Sequence, residues 1–587
     1  MVKRFNNQFL RDNTCLTTKS QMLFYQKMVE LLHAHSGISY SFKIHNSYTI
    51  LKELLDAIID YEKNKINGMT VEELRKEAKK LLANDQVIQS KYPELYETVK
   101  EELSAALKMN NVQGIDSSSI PKMNMIKETI KQLFHAFKPI DYLQSSLVLT
   151  KNAIDNDEGN KIVSLCQTVV SAGIMIGRTI TGMNNTLYMI FSNRSLSFDE
   201  NWRRFSAIML IAESKYFCYI PIKEEYSELI SSKNTGIELK QLYAGAARLE
   251  LLDDSSLYYK VEVSAPASDL PAIYNKAFAC YRNEMSIIEF ATAKVDKLMD
   301  SVFAYDQHNN GIIKIEKKES EFIYKPYNQY HVNIDQAIKE FTSILNEQDL
   351  RKVLGTVTNV CNFERESKEY GFLLLWSSLE AMFRSSQFET AIGAIKNIIP
   401  DILCRRYIYY RLVDFIKDAE KAEMTYCYEG NDFIKRNPSD SDIETLYQLL
   451  QVQSEFESLA NLCEGKYVLL YYKCTELRNM IINAGSIKNV IMHHKETLEF
   501  HLQRMYRVRN KFMHHAEIDK KIEPLYKHLL VYTWECIREM SYVSKSRGIK
   551  SLEELYAYFR MNYNVSLKLL RDARNPVDFQ YIKKGYL

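Results

Sequence analysis

The chain has 587 residues, 46% of them hydrophobic and 26% charged, and a formal net charge of +2, the proportions of a soluble globular protein with room for two to four domains. Near-neutral charge excludes a globally basic nucleic-acid binder, so any such contact must be local. Ten scattered cysteines without a C-x-x-C pair argue against a zinc ribbon or thioredoxin-like chemistry and for reduced, buried thiols in a cytoplasmic protein.

Residues 1–7 lack the apolar core of a signal peptide. From about 20 to 106 apolar residues recur at helical spacing, among them Leu23, Met28 and Leu31, then Leu54, Leu55, Ile58 and Ile59. Thr70-Val71-Glu72-Glu73 reads as a capping box, and the glycine, serines and proline of 113–121 as a loop. Helix resumes from Lys122 to about Gly182. The most apolar run, 168–177, is stopped by Arg178, short of the roughly 20 residues a bilayer requires, so no membrane partner is expected.

Around Leu187 the pattern changes. Residues 187–191 and 217–220 are short runs of strand formers, and 248–265 holds two candidate strands around Asp253-Asp254-Ser255-Ser256. Residues 270–294 read as helix, then 312–315 and 321–325 as a hairpin around 317–320. Beyond Val332 the chain reads as helical, with capping boxes at Ser441–Glu444 and Ser551–Glu554, an inserted loop at 426–439, a break at Gly485-Ser486, and a final helix at 523–542 that packs Trp534. The expected fold is therefore mostly α: a helical N-terminal region (1–185), a small α+β middle domain (186–330) suited to sensing or substrate guidance, and a C-terminal helical bundle (331–587).

Chemistry concentrates in Tyr506-Arg507-Val508-Arg509-Asn510-Lys511-Phe512-Met513-His514-His515. Between Arg478 and His515 there are seven Lys/Arg against two Glu, plus five His. Arg509 offers a permanent cation with a planar fork of donors for phosphate. His514 exchanges protons near neutrality. Cutting RNA without a metal requires a base for the ribose 2′-OH, an acid for the leaving 5′-oxygen and fixed positive charge at the phosphorus, tasks that a histidine and an arginine can share. On a regular helix, at about 100° per residue, Arg509 and His514 diverge while Arg507, Asn510 and His514 share a face. Either the helix ends or distorts near Phe512, or Arg509 wraps round, or Arg507 is the partner; His515 rivals His514 in the same way.

Arg509-Asn510-x-x-x-His514 resembles the Arg-Asn-x-x-x-His motif of the HEPN superfamily. Residues 372–383, with Trp376 and Glu380, resemble the tryptophan-and-glutamate helix upstream of that motif in ApeA-like HEPN proteins. The resemblance covers the last 250 residues or so. It implies a helical domain that forms homodimers, places two Arg-His pairs in a shared cleft and acts as a cytoplasmic, metal-independent ribonuclease in anti-phage defence by abortive infection. RNA would be the partner, with tRNA suggested by family analogy, and a phage-derived trigger would release the activity. Arg509, Asn510 and His514 would be catalytic, with Glu380, Arg507, His515, Lys511 and Tyr506 in support. The alternative is a catalytically silent HEPN module that binds RNA, nucleotide or a protein.

Glu380, in an otherwise apolar run, must find a partner or a proton; it either orients Arg509 or Asn510, or forms a structural ion pair or sits at a bundle rim. Residues 306–317 imitate a calcium loop but carry His308 and Lys317 at ligand positions. His493, His494 and His501 lack metalloprotease spacing and read as surface or RNA-facing. No phosphate-binding glycine motif or nucleophile elbow occurs, so no cofactor and no metal is expected. The 39 tyrosines form no stacking platform visible in sequence.

Overall fold

The computed structural model describes residues 6–32, 45–110, 114–211, 213–224, 230, 232–292, 301–307, 310–316, 334–362, 368–515, 522–572 and 577–585. The chain is mostly helical with one five-stranded antiparallel sheet. Among the described residues no helix is long and apolar enough to cross a membrane. The residues divide into two compact units, 11–32 with 45–316 and 6–10 with 334–585.

In the first unit, helices such as Lys19–Leu32, Ser47–Glu62, Gly68–Leu82, Pro139–Asp155 and Gly159–Met175 bury an aromatic core in which Phe24 meets Phe191, Trp202 and Phe205 edge to face. The cap of Gly68–Leu82 is Asn67 rather than Thr70: the Asn67 side chain accepts the Thr70 amide at 3.1 Å. The helix starts two residues before the predicted cap, and within its first turns Glu72 forms a buried ion pair with Arg75 at 2.7 Å. Residues 187–191 are also helical, within Ile180–Phe191. Leu187, Ile190 and Phe191 are buried, and a short apolar run fills a helix face as readily as a strand.

Helical and α+β residues on either side of position 185 share this unit, and two polar anchors show why. Arg178 donates to the carbonyls of Ile208, Met209, Ile211 and Ala267. Asp269 accepts the Thr179 amide at 2.8 Å and hydroxyl at 2.6 Å, and also the Ala272 amide. One carboxylate thereby closes the starts of two helices.

The sheet comprises β1 (Ser214–Ile222), β2 (Lys233–Thr235), β3 (Leu257–Ala265), β4 (Ser301–Asp306) and β5 (Gly311–Glu316), in the order β2-β3-β1-β4-β5. Alternation splits β1: Tyr216, Cys218 and Ile220 pack with Ile273, Ala277 and Tyr281 of the helix Leu270–Thr292, whereas Tyr219 packs with Tyr258, Phe303, Leu239 and Leu252. On that second face Tyr243 stacks on Tyr305 and bonds the Tyr219 hydroxyl at 2.6 Å, so tyrosines distant in sequence do cluster. The first of the two strands expected within 248–265 is absent; Leu249–Leu251 is a 3-10 turn after Arg248 at φ +62°. Residues 312–315 pair with β4, and the other predicted hairpin arm, 321–325, lies outside the described residues.

The second unit is a helical bundle with one small hairpin, Cys427–Tyr428 with Asn431–Asp432, in the predicted loop. Ser439, not Ser441, caps the next helix, pairing reciprocally with Asp442. Ala484–His515 runs unbroken for 32 residues and packs against Lys368–Met382, Ala391–Cys404 and Leu552–Asp572. The final segment is longer than predicted: Ile522–Arg547 is followed by Leu552–Asp572 and Phe579–Lys584, and Trp534 is only half-buried. Asn7 belongs to this unit. Its Nδ2 donates to the carbonyls of Glu464 (2.9 Å) and Gly465 (3.1 Å), and its Oδ1 accepts the Val468 amide (3.2 Å) where the helix Val468–Ile481 starts.

Candidate functional site

Arg509 stands near the end of the 32-residue helix, which needs no break at Phe512 to carry the motif. Its Nη2 meets Glu380 Oε2 at 3.2 Å and its Nη1 donates to Asn510 Oδ1 at 3.0 Å. The other oxygen of Glu380 accepts the Trp376 indole N–H at 2.7 Å. Trp376 is fully buried and its ring lies 6.0 Å from that of Tyr506. An indole, a carboxylate, a guanidinium and an amide thus form one relay linking two helices 129 residues apart.

The local sequence explains the relay. Trp376 and Glu380 are one helical turn apart, so they share a face. The apolar stripe with Leu375, Leu379 and Phe383 buries that face, and the carboxylate placed there satisfies the indole that burial would otherwise orphan. Glu380 and Arg509 remain 22% and 25% exposed, so the pair lies at the rim of the core, in reach of solvent. A guanidinium carries five N–H donors. Two are engaged by Glu380 and Asn510, which leaves an edge held in a fixed orientation for an incoming oxyanion.

The remaining predicted residues divide plainly. Tyr506 packs on Trp376, and Arg507 is half-buried on the same helix. Lys511 is exposed, and Phe512 meets Tyr370 edge to face at 6.3 Å. His514 and His515 are helical, with side chains outside the described residues. The Trp376 indole is the participant that sequence reading did not assign, although its i, i+4 spacing from Glu380 was the available signal.

Two histidines read as surface groups face the interior instead. His494 is buried, its ring stacked 3.8 Å from Tyr407, and burial, with Arg411 and His493 nearby, lowers its pKa to about 3. His501 shares a hydrogen bond of 2.8 Å with the Tyr532 hydroxyl beside His528, and burial also lowers its pKa. The apolar partners come from helices far along the chain, so local spacing could not reveal them. A folded pKa below the ordinary 6.5 means that the unfolded chain takes the proton first, so stability falls as pH drops below 6.5 toward 3. His494 should contribute about 2 kcal/mol of that loss by pH 5. In thermal melts at pH 7 and pH 5, His494→Phe should remove this share of the acid sensitivity; identical pH dependence in variant and parent would contradict it.

One open groove, of about 430 Å³, adjoins the relay and includes Glu380 in its wall. No group of three or more His, Cys, Asp or Glu is placed to hold a metal ion among the described residues. Comparison with family models, with curated proteins and with solved structures returns no match.

Proposed function

We propose that the chain is a metal-independent endoribonuclease of the HEPN type, acting as a homodimer in prokaryotic anti-phage defence. The observation that carries this reading is the fixed guanidinium: Arg509 is held by Glu380 and Asn510 at the solvent-facing rim, within the Arg-Asn-x-x-x-His pattern that ends at His514. Preorganised positive charge is what a phosphorane needs, because it stabilises developing charge without reorganising as the reaction proceeds.

In the proposed reaction His514 serves as general base and general acid. The ribose 2′-oxygen attacks phosphorus as its proton passes to the base, the P–O5′ bond breaks, and the leaving oxygen takes a proton from the acid. A 2′,3′-cyclic phosphate and a 5′-hydroxyl result. Arg509 stabilises the phosphorane, and Asn510, already bonded to Arg509, keeps its fork in place. A homodimer supplies each group twice. The tRNA class of substrate and the phage-derived trigger rest on the family resemblance alone.

The test is cleavage of total cellular RNA in EDTA by the full chain, followed by analysis of the product ends. Cleavage that leaves cyclic phosphates is the expected result. Products with 3′-hydroxyl ends, or binding of RNA without cutting in the presence of the trigger, would overturn the reading in favour of a different nuclease or a silent HEPN module.

A further inference from the structure

The groove beside Glu380 is walled by Arg384, Ser385, Phe388, Glu389 and Thr390 as well as by Glu380 itself. It lies between the end of the helix Lys368–Met382 and the start of Ala391–Cys404. The connecting loop is held from below: Glu553 accepts the Ser385 hydroxyl at 2.8 Å and the Ser386 amide at 2.9 Å, and Ser385 Oγ accepts the Gln387 amide. Its shape is therefore set before any ligand arrives.

Three features of the lining agree. Phe388 is half-buried, with the Arg560 guanidinium 5.4 Å from its ring centre. Arg384 is exposed and makes no ion pair among the described residues. The carboxylates of Glu380 and Glu553 are already engaged, by Arg509 with Trp376 and by the loop, so Glu389 is the one lining carboxylate opposed to the two arginines. An aromatic face flanked by cations, in a groove of this size, suits one unstacked nucleotide: base on the ring, phosphate on the guanidinium.

We infer that this groove is the subsite for the nucleotide next to the scissile phosphate of single-stranded RNA, with Phe388 stacking its base and Arg384 binding its phosphate. The assignment rests on the ribonuclease reading, because Glu380 is both a groove wall and the anchor of Arg509. A strand lying in the groove is led to the guanidinium that acts on the next phosphate. Phe388 and Arg384 are specificity and positioning residues in this scheme.

Binding is measured on full-length His514→Ala, which should not cut, by fluorescence anisotropy with a fluorescein-labelled 12-nucleotide single-stranded RNA. Phe388→Leu keeps apolar volume but removes the π face and should weaken binding about fivefold. Arg384→Ala should weaken it about tenfold. Glu389→Gln removes the opposing charge and should tighten binding about threefold, a gain that misfolding cannot mimic. All three variants within twofold of the parent would overturn the subsite. If the wild-type chain cuts RNA while these variants bind normally, the ribonuclease reading stands and the groove falls. If the pattern holds but the wild-type chain never cuts, the groove stands as a nucleic-acid site and the catalytic reading falls.

Discussion

His514→Ala should reduce RNA cleavage by about 10²–10⁴-fold, the usual cost of removing a general acid/base group, while thermal stability stays close to that of the parent. Arg509→Lys is the sharper companion. Lysine keeps the charge but cannot hold Glu380 and an oxyanion at once with a planar fork, so it should also cost at least tenfold in kcat, with KM for RNA little changed. The same assay on total RNA reads both variants. Wild-type rates in His514→Ala would remove this histidine from the mechanism, and His515→Ala would then be the variant to measure.

The second large effect is on stability and lies away from the groove. Glu539, on the helix Ile522–Arg547, is buried among Arg405, Arg406, Arg538 and Tyr410. Arg405 Nη1 lies 2.7 Å from one carboxylate oxygen, and the Tyr410 hydroxyl donates to the other. Burial alone would raise the carboxyl pKa; Arg406, Arg405 and Arg538 outweigh it and hold the group at about 2. Glu539→Gln keeps the shape but leaves buried guanidinium charge uncompensated, which typically costs about 3–5 kcal/mol. For a unit of this size, the melting temperature should fall by roughly 10 °C.

Glu535, one turn earlier, is the control. Burial raises it to about 7 despite Arg538 alongside, so at pH 6 it is mostly protonated and Glu535→Gln should change stability by less than about 1 kcal/mol. Equal losses in the two variants at that pH would show that the cluster does not depend on the Glu539 charge. The sign with pH follows: a depressed carboxylate stabilises above its unfolded pKa near 4.5, and that share is lost as pH falls toward 2.

Helices with a regular apolar stripe, such as Ser47–Glu62 and Ile522–Arg547, were legible from spacing, as was the central strand around Phe217. Residues 187–191 were not, because five apolar residues satisfy either period and only the surrounding Phe24, Trp202 and Phe205 decide. Of the caps, Ser551 accepts the Glu554 amide at 3.2 Å as expected, but the other two failed for a related reason. Asn67 and Ser439 each sit two or three residues before an equally good candidate, and the apolar register of the helix selects between them. At the site, the residue types were visible in the motif, and Glu380 stood out as a carboxylate in an apolar run. The i, i+4 spacing of Trp376 and Glu380 carried the signal for their contact, whereas the pinning of the loop at Ser385 by Glu553 depends on which helices meet, which no local pattern encodes. The buried environment of His494 was hidden for the same reason.

Asn7 bears on how this protein can be made and divided. The unit that holds Arg509 closes across a separation of 461 residues, from Asn7 to Val468, with the other unit threaded between. During synthesis the Asn7 contact cannot form until residue 468 has left the ribosome, so completion of this unit waits on a part of the chain made long after its first residues. A fragment of residues 331–587 would lack the Asn7 strut and leave the start of the helix Val468–Ile481 uncapped. A shorter chain that joins residue 10 to residue 334 through a flexible linker would retain it.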